Sequence, residues 1–309
     1  MSHPRRQRTI AGPVCISGVG LFTNAATTAV FRPAAEDAGV VFRRTDLFDA
    51  PEVPALIEHL HDRPRRTVLS RGAAYVEMTE HALAAMAGLR VDNCVVEVDG
   101  PELPGMDGSS EELTRKLLDV GIVRQDAPRA EIVVERPVEV TGSNGAFVRF
   151  EPPAGRRRLE MTYSLDHPHP AVGRQAAHVD LTPSAFAGAL AAARTFVMLE
   201  EVEALRAAGY GLSLTEKDLC VFGPRGVVGN TLRFGNEPAR HKLLDCVGDF
   251  ALCGRDVIGR VTAYKSGHAL NHAAVRQLLA THADSAGAVG PAHPSRSIQK
   301  VGPPLRRAA

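Results

Sequence analysis

The chain carries one succession of patterns twice: short strand-like runs first, then stretches with helical spacing. In the first block, residues 13–20, 28–32 and 39–43 read as strands. Residues 79–89 then place Leu83, Met86 and Ala87 on one side of a helix, with Thr79 as its N-cap. A short strand, Cys-Val-Val-Glu-Val at 94–98, ends at Asp99-Gly100-Pro101, and Ser109 or Ser110 caps a further helix through Val120. The second block repeats the order, with strands at 131–140, 146–150 and 159–164. A long helix follows at 183–208, with Thr182 as N-cap and Pro183 at its first position. Helices at 239–252 and 268–282 enclose an apolar strand at 256–263. Strands grouped with helices, without strict alternation, predict an α+β fold, each domain a β-sheet layered against α-helices, rather than a doubly wound sheet. The polar, unpatterned stretch 124–128 sets the boundary, giving an N-terminal α+β domain at 1–126 and a C-terminal one at 127–284. Residues 285–309, rich in Pro, Gly, Ser and Ala, are expected to form a disordered tail.

Charge excludes one class of partner. The 36 Lys+Arg and 35 Asp+Glu nearly cancel, so no field over the whole molecule draws it to nucleic acid. The five cysteines are scattered without a Cys-x-x-Cys pair, as reduced thiols are. Residues 1–8 are basic and polar with no apolar run behind them, and the longest apolar stretch, 185–199, is interrupted by Arg194. These features predict a cytoplasmic protein with no transmembrane segment.

Three segments hold residues with chemical potential. In 241–249, helical spacing puts His241, Asp245 and Asp249 on one face. An imidazole and a carboxylate one turn apart can share a divalent metal, and they can equally form an ordinary surface pair. Glu80-His81 opens the 79–89 helix. Neighbouring helical positions point about 100° apart, so one side chain can bind a metal while the other reaches a water beside it. A Glu favoured by the helix dipole next to an ordinary His fits the same two letters. Together, His81, His241 and Asp245 would make the three-ligand set of a catalytic zinc, leaving Glu80 free as a base. The third segment, 262–272, runs from strand through a small-residue turn to a helix beginning near His268. That arrangement suits an anionic intermediate or a phosphate, and it also suits a solvated turn. His167-Pro168-His169-Pro170 reads as a turn, Gly18-Val19-Gly20 lacks the third glycine of a dinucleotide fingerprint, and no P-loop occurs.

Taken in order, these segments resemble the UDP-3-O-acyl-N-acetylglucosamine deacetylases of lipid A biosynthesis, over about residues 8–280. The resemblance also rests on Gly18-Val19-Gly20-Leu21, Phe42-Arg43-Arg44-Thr45-Asp46, Met106-Asp107-Gly108-Ser109, Ala193-Arg194-Thr195-Phe196 and Ala263-Tyr264-Lys265-Ser266-Gly267-His268. It implies two similar α+β domains with the site between them, each carrying an insert. The second insert, at about 194–225, would form a hydrophobic passage for an acyl chain. It implies Zn²⁺ on His81, His241 and Asp245, with Glu80 as general base. His268, oriented by Asp249, would stabilise the oxyanion and protonate the leaving amine, and Thr195 would face the oxyanion. Lys242, Lys265 and Phe196 would contact the substrate, a UDP-linked acylated sugar bound by a monomer.

The chain departs from the family pattern at three places. Phe22 stands where His is usual, and Glu151 falls where a lysine helps to hold the diphosphate, with Arg156–Arg158 nearby. Ser213-Leu214-Thr215-Glu216 replaces a Gly-Gly-Ser-Leu type of run. These keep two other readings open: a zinc amidase for another N-acyl sugar or nucleotide-sugar, and a non-catalytic nucleotide-sugar-binding paralogue.

Overall fold

Each half of the chain is built around one central strand; the computed structural model describes residues 4–216 and 218–286. Cys94–Val98, with Cys94, Val96 and Val98 alternately buried, lies in the middle of a five-stranded sheet. It runs antiparallel to Ala26–Pro33 and parallel to Val40–Arg44, with Val14–Val19 and Glu52–Pro54 paired antiparallel outside them. Asp256–Tyr264 has the same place in the second half, antiparallel to Phe147–Glu151 and parallel to Leu159–Asp166. Val138–Thr141 and Arg174–Asp180 flank these, again antiparallel. Strand order and the sense of each of these pairings agree between the halves, so the twofold pattern in the sequence is a repeat of topology, in two mixed α/β domains.

Among the described residues six α-helices accompany these sheets: α1 (Glu80–Leu89), α2 (Glu111–Val120), α3 (Pro183–Ala189), α4 (Leu199–Ala207), α5 (Glu237–Ala251) and α6 (His268–Ala286). In sequence, α1 and α2 flank the first central strand as α5 and α6 flank the second. The two helices that precede the central strands, α1 and α5, pack against each other. Both are buried on nearly every side, α1 through Ala82–Met86, Gly88 and Leu89, as befits helices inside a core rather than on a surface. Glycines allow the close packing of α1 on α5 and on α3. A Cβ on Gly248 of α5 would lie 2.1 Å from the Glu80 carbonyl oxygen, and one on Gly88 would lie 2.2 Å from the buried Phe186 ring of α3. At the far ends, Arg5 joins the halves. Its guanidinium makes 2.6 Å ion pairs with Asp92, just before the first central strand, and with Asp256, which begins the second.

The structure corrects several readings. The stretch 124–128 belongs to a strand, Ile122–Pro128, paired antiparallel with Arg6–Ile10. The run 131–140 is two strands in different sheet positions, Glu131–Val133 and Val138–Thr141, on either side of Pro137. The long helix at 183–208 does not form: α3 ends at Ala189, Phe196–Met198 pairs parallel with Cys220–Gly223, and α4 starts at Leu199. The cause is where the backbone amides go. The Arg194 N–H donates to Glu237 and the Thr195 N–H to the Gly108 carbonyl, so neither can continue the helical ladder. Thr182 does cap α3, accepting from the Ala185 N–H. Thr79 and Ser110 sit at helix starts without capping through their side chains; their hydroxyls donate to the carbonyls of Thr67 and His81. The tail beyond residue 286 lies outside the described residues. No helix among the described residues is long and apolar enough to cross a membrane.

Candidate metal centre

The crossing of α1 and α5 forms one wall of a cleft of about 810 Å³ between the two halves. Nine of the ten candidate residues named from the sequence line it; the tenth, Asp249, is fully buried behind His268. His241 and Asp245 stand one turn apart on α5, and His81 comes from the first turn of α1. The Asp245 Oδ1 atom lies 3.3 Å from His241 Nε2 and 3.7 Å from His81 Nε2. Metal–ligand bonds of ~2.0–2.1 Å in a tetrahedral site put neighbouring donors ~3.3 Å apart. Asp245 Oδ1 is buried and has no hydrogen-bond partner, while its other oxygen accepts from Lys242 Nζ at 2.8 Å. An orphaned carboxylate oxygen between two imidazole nitrogens is costly unless a cation satisfies it. The histidines are suited to that: burial, then the neighbouring His241, pushes His81 down to about 3, and burial lowers His241 as well. Both rings are therefore neutral, the form that ligates metal. His241 Nδ1 donates to the Ala193 carbonyl at 3.1 Å, which leaves the Nε2 lone pair facing Asp245. These residues fit a divalent metal.

Beside the three donors stand two groups able to move protons. Glu80, 1% exposed, accepts from the Thr67 N–H at 3.0 Å, and burial lifts its carboxyl to about 7. His268, at the start of α6, donates from Nδ1 to Asp249 at 2.9 Å. Burial opposes its charge, but Asp249, with Asp245 and Glu80 beyond, outweighs that and raises it to about 9. Its Nε2 faces the cleft 3.9 Å from Glu80 Oε1. Thus at neutral pH one group is poised to accept a proton and the other to donate one.

The remaining candidates are placed by backbone. Thr195 is held between Gly108 and Cys220, and its methyl packs where a Cβ on Gly108 would stand. That contact explains why the Met106-Asp107-Gly108-Ser109 and Ala193-Arg194-Thr195-Phe196 segments belong to one site. Next to it, the buried Arg194–Glu237 pair at 2.9 Å anchors the strand to the first turn of α5. Lys265 has a left-handed backbone (φ 53°), and its N–H donates to Ser164. Phe196 lies 5.9 Å from Lys242 Nζ.

Of the departures, Phe22 lines the cleft with its ring beneath the Arg66 guanidinium, 3.9 Å away, and edge-on to Tyr210 at 5.1 Å. Glu216 lines it too, exposed. Glu151 is paired with Arg260 at 3.5 Å, and Arg157 and Arg158 with Glu131 and Asp180, so their charges are engaged within the sheet region. Thr67, Asn271 and His272, all bonded to Asp249, went unnoticed in the sequence. His272 falls one turn after His268, a spacing that could have flagged it; nothing marks Thr67. Asp249, His268 and His272 form the other metal-competent group among the described residues, but their donor atoms already serve one another.

Comparison with known proteins agrees with this geometry. The family model for LpxC, UDP-3-O-acyl N-acetylglycosamine deacetylase, matches residues 7–280. A UDP-3-O-acyl-N-acetylglucosamine deacetylase of Anaeromyxobacter sp. (strain Fw109-5) is 41% identical over 280 residues, covering 89% of this chain and 88% of its own. Those of Myxococcus xanthus (strain DK1622) and Thioalkalivibrio sulfidiphilus (strain HL-EbGR7) are 38% and 37% identical, covering 88% and 89% of this chain and 86% and 90% of theirs.

Proposed function

The chain belongs to the UDP-3-O-acyl N-acetylglycosamine deacetylase family, and from that premise we propose how its residues carry out the reaction. It is an amide hydrolase that removes the N-acetyl group of UDP-3-O-acyl-N-acetylglucosamine in lipid A biosynthesis, giving acetate and the free amine. His81, His241 and Asp245 would hold Zn²⁺; the observation that carries this is the orphaned Asp245 Oδ1 between the two imidazoles. Zinc, when bound, polarises the acetamide carbonyl and acidifies a water. Glu80 takes the proton of the attacking water as the water oxygen bonds to the acetyl carbon. The charged His268, its ring fixed by Asp249, donates to the developing oxyanion, and the Thr195 hydroxyl faces the same oxygen. As the C–N bond breaks, His268 gives its proton to the sugar nitrogen, and the acetyl group leaves as acetate.

Lys242 and Lys265 add positive charge near the anionic substrate, and Phe196 packs on it. Leu199, Val202, Leu205, Leu214, Leu219 and Val221, from the segment between α3 and α5, line the cleft and receive the acyl chain. One chain supplies all three metal donors, so a monomer suffices for this site.

Acetate release from the UDP-linked acylated substrate tests this reading. Turnover should vanish on treatment with a chelator and return on adding one equivalent of zinc. Turnover that survives complete removal of metal would overturn it. The two proton-transfer groups also set a pH dependence. Glu80 is active once deprotonated and His268 while protonated, so kcat/KM should rise with pH through about 7 and fall through about 9. A profile flat between pH 6 and 10, in units of roughly one, would contradict these assignments.

A further inference from the structure

Glu80 and His268 come from different halves of the chain, and one residue touches the support of both. Thr67, fully buried just before the strand Val68–Arg71, uses all its polar groups on the site. Its N–H donates to Glu80 Oε2 at 3.0 Å. Its carbonyl accepts from the Thr79 N–H and hydroxyl, both at 3.2 Å, at the start of the helix that bears Glu80. Its hydroxyl donates to Asp249 Oδ1 at 2.6 Å. A hydroxyl has one proton, so the Thr67 oxygen is the acceptor in its contacts with His272 Nε2 at 3.0 Å and His268 Nδ1 at 3.3 Å, and each imidazole N–H is shared between that oxygen and Asp249.

Asp249 is consequently held on both of its oxygens. Oδ2 accepts from His268 Nδ1 at 2.9 Å and Asn271 Nδ2 at 2.8 Å, while Oδ1 accepts from Thr67 and, at 3.2 Å, from His272. A carboxylate held on both oxygens cannot rotate, and the ring that hydrogen-bonds to it is held in turn. Asn271 and His272 lie on the same helix as His268 and can move with it. Thr67 is the one donor to Asp249 among these that belongs to the first half.

We propose that Thr67 is a positioning residue for the deacetylation. Its hydroxyl locks Asp249, and through it His268, to the frame in which its own backbone holds Glu80. This rests on the roles given above to Glu80, His268 and Asp249. It sets the separation between the atom that receives the water proton and the atom that delivers one to the nitrogen. That separation matters only when both transfers occur on one substrate, so loss of the lock should lower kcat and leave binding of substrate and metal alone.

The test uses Thr67→Val, which keeps the volume and the N–H to Glu80 but removes the hydroxyl, and Thr67→Ser, which restores it. Each is measured alone, with Asp249→Asn, and in the combination of Thr67→Val with Asp249→Asn. For Thr67→Val we expect kcat to fall about 10–100-fold, the range of an outer partner of a reacting group, with KM and zinc content unchanged. Thr67→Ser should recover most of the loss. In the Asp249→Asn background Thr67→Val should cost less than about 2-fold more, since residues that act as a unit are not additive. A Thr67→Val enzyme with wild-type kcat, while Asp249→Asn is slow, overturns the role of Thr67 alone. Equal losses in both backgrounds overturn the route through Asp249. An Asp249→Asn enzyme as fast as wild type overturns the assignment of Asp249, and the proposal falls with it.

Discussion

Replacing Asp245 with alanine should yield a protein that purifies without bound metal and shows turnover lowered by more than about 1,000-fold. The size follows from what is removed: stabilising charge in the transition state by a metal is worth several kcal/mol, and about 4 kcal/mol corresponds to 1,000-fold. The loss of metal follows from geometry. Asp245 Oδ1 is the atom common to both close donor distances, and without it two neutral imidazoles with ring centroids 5.1 Å apart remain. Glu80→Ala is the necessary contrast. Glu80 is as deeply buried and lies in the same cleft, but it contributes no donor to the three-residue set. That variant should keep its metal and lose rate by about 100- to 10,000-fold, as removal of a general base does. Metal content measured beside kcat separates the two roles. A Glu80→Ala protein that is metal-free would show that Glu80 is a ligand and that the base is another residue.

The grouping of the candidate site residues was more legible in the sequence than the course of the chain around them. His241, Asp245 and Asp249 could be grouped because α5 is one uninterrupted helix whose period relates i, i+4 and i+8 directly. Spacing alone could not decide between a metal site and a surface pair, because the deciding partner, His81, is 160 residues away in the chain, and only the packing of α1 on α5 brings it near. The segment between α3 and α5 misled for the opposite reason. The alanine-rich run at 183–193 has helical composition, but the amides of Arg194 and Thr195 are spent on Glu237 and Gly108, long-range partners that no local pattern announces. The polar stretch at 124–128 likewise lacks a strand's alternation of apolar residues, because its partner Arg6–Ile10 makes with it a two-stranded ribbon in which Arg124, Asp126 and Pro128 are exposed. Thr67 and His272 escaped notice since a buried network around one carboxylate leaves no periodic trace. What local pattern encodes is each element; what it omits is which elements meet.

Gly248 brings that difference to a single measurement. Judged by helix propensity, Gly248→Ala within α5 should stabilise the protein by about 1 kcal/mol, since glycine is the poorer helix former. The packing requires the reverse sign. The new methyl would stand 2.1 Å from the Glu80 carbonyl oxygen, 2.9 Å from its carbon and 3.1 Å from its Cα, all backbone atoms of the first turn of α1. No side-chain rotation relieves such a contact, so the helices must separate, and overpacking of this kind costs about 1–3 kcal/mol or more. The strain falls where it matters for chemistry, because Glu80 and His81 sit on one side of the contact and His241, Asp245 and Asp249 on the other. We expect a fall in Tm of about 3–9 °C, at roughly 3 °C per kcal/mol for a protein of this size, together with weaker metal binding. Zinc retention against a competing chelator would be followed beside thermal unfolding of the chelator-treated protein, so that loss of metal does not itself account for the shift. A variant more stable than wild type, with zinc held as tightly, would mean that α1 and α5 do not cross at this glycine, and that the site is assembled from a different approach of the two helices.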